Sequence, residues 1–119
     1  MTIATVIALL FVATASAATW PMPKTWRAKH YPAWFAEAMC IHRYEGAWNA
    51  IGYVGGRATY GGGLQFLLST WRTAGGTASS VYDIARKPPR EQLYRAWIIW
   101  KQSGESWRQW GTAGRCGLR

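Results

Sequence analysis

The sequence predicts a small α+β domain that is mainly α-helical and carries one short, glycine-rich β-hairpin. Two segments, 33–44 and 89–102, place apolar residues at the three- and four-residue steps of an amphipathic helix. Between them, residues 52–63 include six glycines in twelve positions, which indicates turns and a hairpin. A chain of 119 residues without an internal repeat has room for one domain.

The first predicted helix begins at Pro32, because proline suits the first helical turn. Its apolar positions recur at steps of four and three: Trp34, Ala38 and Ile41. A further step of four along the same stripe leads to Glu45, and Gly46 follows as a terminator. We therefore expect a carboxylate on the buried side of the helix, at its last turn.

The glycine-rich segment and the helices after it complete the predicted fold. Residues 51–54 and 57–60 flank Gly55-Gly56, a pattern typical of a two-residue hairpin turn. Ser69 is the predicted N-cap of a helix that passes Trp71 and ends at Ala74, and residues 77–87 are expected to hold another short helix. The last helix runs over residues 89–102, and its apolar face is expected in the core: Leu93, Ala96, Trp97 and Trp100.

The beginning of the chain has the pattern of a secretory signal peptide over residues 1–17. An apolar run at 3–13 is too short to cross a bilayer and leads to Ala15-Ser16-Ala17, an A-x-A cleavage pattern. An uncleaved anchor and a buried first helix are the alternatives. Residues 18–31 then form a short, poorly specified arm, and residues 32–119 form the domain. We expect export and no stable membrane insertion after cleavage.

Cysteine content and charge bear on the compartment and the partner. Cys40 and Cys116 are the two cysteines, and in an exported protein such a pair favours a disulfide over two buried thiols. The net charge is +9, and no charged residue lies in 1–17. A basic surface favours polyanionic partners, and export favours bacterial wall polymers over nucleic acid. A merely solvated surface is the alternative.

Glu45 is the candidate catalytic residue. Three features each disfavour its ionised form: the buried stripe, the negative end of the helix dipole, and the aromatic neighbours Tyr44 and Trp48. A glutamic acid kept protonated near neutral pH can protonate a glycosidic oxygen. The alternative is an ordinary surface residue at a helix end.

A second catalytic carboxylate is missing from the expected cleft. No acidic residue lies between Glu45 and Asp83, so the hairpin segment cannot supply one. Glycosidases of the ordinary type need two carboxyl groups roughly 5–9.5 Å apart. Asp83, Glu91 and Glu105 stand in no suggestive context, and the sequence therefore favours a mechanism with one carboxylate.

The remaining candidates concern substrate binding. The Gln65 amide suits hydrogen bonding to a sugar, and Trp48 and Trp71 flank the glycine segment and are candidates to stack on sugar rings. Turn formation and core packing are the alternatives. His30 and His42 have no metal-ligand spacing and are interpreted as non-catalytic, so we expect no metal site and no cofactor.

Three segments in a fixed order resemble a known family. They are CIHRYEGAW at 40–48, YGGGLQF at 60–66 and STW at 69–71. Together they resemble the transglycosylase-like domain of resuscitation-promoting factors, actinobacterial proteins with a compact lysozyme-like fold related to soluble lytic transglycosylases and goose-type lysozyme. The resemblance covers roughly residues 32–116.

This resemblance implies specific roles. Glu45 matches the catalytic glutamate of the family, and Gln65 lies in the segment that lines its substrate groove, together with Tyr60 and Gly63. Cys40 and Cys116 match its disulfide. The implied substrate is the β-1,4 bond between N-acetylmuramic acid (MurNAc) and N-acetylglucosamine (GlcNAc) in peptidoglycan, cleaved by a monomeric lytic transglycosylase. Hydrolysis of the same bond by a muramidase, and a non-catalytic cationic wall-binding or antibacterial module, remain the alternatives.

Overall fold

The computed structural model describes residues 18–119, so the predicted signal peptide at 1–17 lies outside the described residues. The described part folds into a mainly helical α+β domain, as predicted. Its helices and strands are α1 (Pro32–Glu45), β1 (Ile51–Val54), β2 (Arg57–Gly61), α2 (Leu68–Thr73), α3 (Val81–Arg86) and α4 (Pro89–Gln102), with 3₁₀ helices at Ala28–His30 and Gly111–Cys116. Within residues 18–119, no helix is both long and apolar enough to cross a membrane.

Helix α1 has the predicted bounds. Pro32 opens it, and its predicted apolar stripe is buried: Trp34, Ala38 and Ile41. Gly46 ends it with φ 134°, a positive-φ conformation that residues other than glycine rarely adopt. The Gly46 N–H donates to the carbonyl of His42. The helix therefore ends where the sequence predicts, with Glu45 as its last residue.

Strands β1 and β2 form the predicted antiparallel hairpin. Gly55 and Gly56 have φ values of 57° and 76°, the conformation that a tight two-residue turn requires. A bulge interrupts the register between Gly52, which pairs with Tyr60, and Tyr53, which pairs with Ala58. The bulge adds one residue to β2 and strengthens its twist.

The later helices agree with the prediction except at one end. Helix α2 begins at Leu68, and Leu67 rather than the predicted Ser69 occupies the N-cap position, without a side-chain cap. Ser80 caps α3 by accepting a hydrogen bond from the Asp83 N–H. Helix α4 has the predicted bounds, although Trp97 and Trp100 are only half-buried.

Tryptophan rings fill much of the core. Trp34 stacks on Trp107 with 5.6 Å between ring centroids, and Trp107 packs edge-on against Trp110 at 5.1 Å. Phe66 packs edge-on against Trp71 in the same cluster. These contacts join α1, the glycine-rich segment and the C-terminal segment into one core.

The segment before α1 is held firmly, so the expectation of a poorly specified arm at 18–31 is wrong. The Trp20 indole N–H donates to the Tyr94 hydroxyl at 2.9 Å, and the Trp20 carbonyl accepts from the buried Arg95 at 2.8 Å. Arg90 donates to the carbonyls of Lys24 and Trp26. Two arginines of α4 therefore fix this arm by its backbone, a role that composition does not reveal.

Candidate active site

The Glu45 side chain lines a cavity of about 240 Å³ on the surface of the domain. Three parts of the chain build it: the end of α1, the region from β2 to the following loop, and the segment before and within the C-terminal 3₁₀ helix. The lining residues are Glu45, Tyr60, Gln65, Gln109, Trp110, Gly111 and Thr112. Two residues expected at the substrate, Tyr60 and Gln65, thus lie at the same cavity as the candidate acid.

The carboxyl group of Glu45 has one hydrogen-bond partner among the described residues. The Thr112 hydroxyl donates to Glu45 Oε1 at 2.7 Å. Glu45 is partly buried, so the predicted burial of its stripe is incomplete at this last position. Thr112 fixes one carboxyl oxygen, and this neutral donor adds no charge to the cavity.

A disulfide joins the two elements that carry Glu45 and Thr112. Cys40, within α1, is bonded to Cys116 at the end of the C-terminal 3₁₀ helix, as predicted. Helix α1 packs along this 3₁₀ helix. The cross-link therefore lies close to Glu45 in one element and to Thr112 in the other.

Trp110 connects two walls of the cavity. Its indole N–H donates to the Leu64 carbonyl at 2.8 Å in a fully buried contact. Gln109 precedes it and is exposed, and it lines both the Glu45 cavity and a neighbouring cavity of about 110 Å³ beyond Tyr60 and Gln65. The two cavities share lining residues and therefore adjoin, and we call the pair the groove.

Gln92, a fully buried residue of α4, forms hydrogen bonds with the backbone of the glycine-rich segment and of Trp48. Its Oε1 accepts from the Gly63 N–H at 2.8 Å, and its Nε2 donates to the Trp48 carbonyl at 2.9 Å. Gly62 lies against the same amide, so a side chain there would collide with it. Sequence reasoning missed Gln92, because only its complete burial in the folded chain distinguishes it from an ordinary helix glutamine.

Two predicted substrate residues, Trp48 and Gly63, pack against His42. The Trp48 indole stacks on the His42 ring at 3.8 Å between centroids, and neither Trp48 nor Gly63 lines the Glu45 cavity. Gly63 is buried, and its carbonyl is 2.7 Å from His42 Nδ1. The roles of Trp48 and Gly63 at the substrate therefore stay predictions, and the packing of the two rings explains why position 63 is a glycine.

Trp71 is wrongly predicted. Its side chain is completely buried in the core, and its indole N–H donates to the Thr77 carbonyl. An amphipathic turn of α2 directs this ring inward, which leaves no face for a sugar. The position of Trp71 beside the glycine-rich segment is thus explained by core packing.

Gln65 reaches the groove, but its amide is engaged within the protein. Its Nε2 donates to the carbonyls of Gly62 at 2.8 Å and Ala50 at 3.4 Å, and its backbone has φ 48°. A side chain at Gly52 would collide with the amide oxygen and displace the Gln65 amide. Gln65 therefore shapes the wall of the groove, and its donors hold the loop to the residue before β1.

Each of the other carboxylates has a partner away from the groove. Glu37 accepts from the Trp107 indole N–H at 2.7 Å, and Asp83 accepts from the Ser79 N–H. Glu91 pairs with Arg95 at 3.6 Å, and Glu105 pairs with Lys101 at 3.2 Å. Among the residues that line the Glu45 cavity, only Glu45 carries a carboxylate.

One feature of the sequence could have predicted that Thr112 and Gln109 lie near Glu45. A bond between Cys40 and Cys116 brings residues just before Cys116 next to the end of α1, where Glu45 lies.

Over residues 18–119 the structure contains no group of three or more His, Cys, Asp or Glu side chains arranged to hold a metal ion. Comparisons with protein-family models, with curated proteins and with solved structures found no match to this chain.

Proposed function

We propose that this protein is a secreted peptidoglycan lytic transglycosylase that cleaves the MurNAc-β-1,4-GlcNAc bond with Glu45 as its catalytic acid and base. The observation that carries the proposal is the position of the Glu45 carboxyl group, which lines a surface groove as its only carboxylate. The resemblance of segments 40–48, 60–66 and 69–71 to resuscitation-promoting factors supplies the substrate.

The proposed reaction needs one carboxyl group and no water. Glu45 donates its proton to the oxygen that leaves with GlcNAc, and the bond from this oxygen to MurNAc C1 breaks through an oxocarbenium-like state. The Glu45 carboxylate then takes the proton of the MurNAc 6-hydroxyl, whose oxygen bonds to C1. The products are a 1,6-anhydro-MurNAc end and a free GlcNAc 4-hydroxyl, and Glu45 is again protonated.

The distribution of carboxylates supports this path over the two-carboxylate mechanisms. Retaining and inverting glycosidases place a second carboxyl group roughly 5–5.5 Å or 6.5–9.5 Å from the acid. Here the other four carboxylates accept hydrogen bonds or pair with cations elsewhere in the domain. The Thr112 hydroxyl is suited to hold the carboxyl group in one orientation while its proton is exchanged twice.

Charge and redox chemistry support a location at the bacterial wall. The net charge of +9 favours association with anionic wall polymers, and peptidoglycan strands are the proposed partner. A disulfide persists in oxidising compartments, which agrees with export under the predicted signal peptide. In this proposal the enzyme acts as a monomer without a cofactor.

Digestion of purified sacculi tests the proposal. The protein is incubated with sacculi, and the released muropeptides are analysed by mass spectrometry. Anhydro-MurNAc ends are the expected products. Reducing MurNAc ends would show that a muramidase reaction takes place instead. Sacculi that bind the protein but release no fragments would overturn enzymatic cleavage and favour a wall-binding module.

A further inference from the structure

A second cavity, of about 420 Å³, lies beside the Glu45 groove and is not used by the proposed reaction. Strand β2 supplies one wall, the start of α2 a second, and the residues around the start of α3 a third. Tyr60 of β2 faces the Glu45 cavity, whereas Arg57 and Thr59 of the same strand line the second cavity. Leu67 lines both the second cavity and the 110 Å³ cavity of the groove, so the two regions adjoin.

The polar groups of this cavity suit a ligand that carries a carboxylate and amides. Arg57 is exposed, and its guanidinium forms no ion pair with any carboxylate of residues 18–119. Thr59, Ser69 and Ser79, which carry hydroxyl groups, line the same cavity. A guanidinium binds a carboxylate through two parallel hydrogen bonds, and hydroxyls both donate to and accept from peptide groups.

Exposed apolar side chains are concentrated at the same place. Leu67 and Tyr82 line the cavity and are 39% and 44% exposed. Tyr53 is 60% exposed, and its strand partner Ala58 lines the cavity. Clustered exposed apolar groups indicate a binding surface.

We propose that this second cavity binds the stem peptide of peptidoglycan, with Arg57 pairing to one of its carboxylates. This inference rests on the proposed function and specifies its substrate as glycan that still carries its peptides. A stem peptide is attached to MurNAc, next to the bond that Glu45 would cleave, and offers carboxylates, amides and methyl groups together. Those groups match the guanidinium, the hydroxyls and the exposed apolar side chains of the cavity.

The test compares two substrates and three proteins. Intact sacculi and glycan strands stripped of stem peptides by an amidase are digested by the wild type, by Arg57→Gln and by Arg86→Gln. Arg86 is an exposed cation of α3 that does not line the cavity, so its variant controls for net charge. We expect the wild type to cleave intact sacculi about tenfold faster, in kcat/KM, than stripped strands. A tenfold ratio corresponds to about 1.4 kcal/mol, within the range of one hydrogen bond to a charged group.

The variants give the remaining outcomes. Arg57→Gln is expected to lose about tenfold on intact sacculi and to be unchanged on stripped strands, while Arg86→Gln matches the wild type on both. Equal wild-type rates on the two substrates would overturn the stem-peptide inference and leave the proposed function standing. An equal loss of Arg57→Gln on both would also overturn it. Failure of the wild type to cleave either substrate would overturn the proposed function itself.

Discussion

The Thr112 hydroxyl donates a 2.7 Å hydrogen bond to Glu45 Oε1, although 67 positions separate the two residues in the chain. The bond joins the last residue of α1 to the C-terminal 3₁₀ helix, and both residues line the Glu45 cavity. Thr112 is therefore a positioning residue, which orients the carboxyl group that acts in the proposed reaction.

Thr112→Val removes this donor with little change of shape. We expect kcat/KM for sacculi to fall about tenfold, which corresponds to about 1.4 kcal/mol and lies within the range for one lost hydrogen bond. The melting temperature should change little because Thr112 is only partly buried. Thr112→Ser, which keeps the hydroxyl, should restore activity, and equal losses in both variants would contradict a positioning role.

The disulfide is expected to stabilise the arrangement of α1 and the C-terminal segment. Cys40 and Cys116 are 76 positions apart, and the chain-entropy model gives about 4.5 kcal/mol for a loop of this length. Replacing both cysteines by alanine should lower the free energy of unfolding in urea by several kcal/mol. An unchanged midpoint of unfolding would show that noncovalent contacts alone hold the two elements together.

Gly63→Ala tests the close packing against Trp48 and His42. A Cβ at Gly63 would lie 2.6 Å from Trp48 Cε3 and 2.7 Å from His42 Nδ1, closer than carbon contacts allow. We expect a loss of about 1–3 kcal/mol in stability, as for other overpacked sites. Gly114→Ala is the control, because nothing lies within 4 Å of its Cβ position. Equal melting temperatures of the two variants would refute the packing account.

The buried Arg95 should be important for stability, because it joins the N-terminal arm to the core. Its guanidinium donates to the carbonyls of Ala74 and Trp20, and burial lowers its pKa while nearby Glu91 opposes that shift. Arg95→Met leaves both carbonyls without donors, and we expect a loss of about 3 kcal/mol in thermal unfolding. Arg86→Met, at an exposed position, should stay within about 0.5 kcal/mol of the wild type.

Local patterns predicted the local structure of this protein well. Pro32 and Gly46 located the two ends of α1, and the Gly55-Gly56 turn located the hairpin, because these signals lie within or next to the element itself. The disulfide prediction also agrees with the structure.

The composition of the groove was harder to predict, because its walls come from distant segments. Thr112 and Gln109 reach Glu45 only after the C-terminal segment folds back on α1. Trp71 looks in sequence like a residue that stacks on sugars, but its complete burial depends on tertiary packing. Spacing along the chain does not contain that information.

Glu45→Gln removes the proton donor of the proposed reaction. The glutamine keeps the size of the side chain and an oxygen that can accept from Thr112, but it cannot donate a proton as a carboxylic acid does. Glu105→Gln, at an exposed carboxylate remote from the groove, is the matched control. With both variants folded, we expect release of muropeptides from sacculi to fall at least about 100-fold for Glu45→Gln only. Wild-type release by the purified Glu45→Gln variant would show that Glu45 is not the catalytic acid.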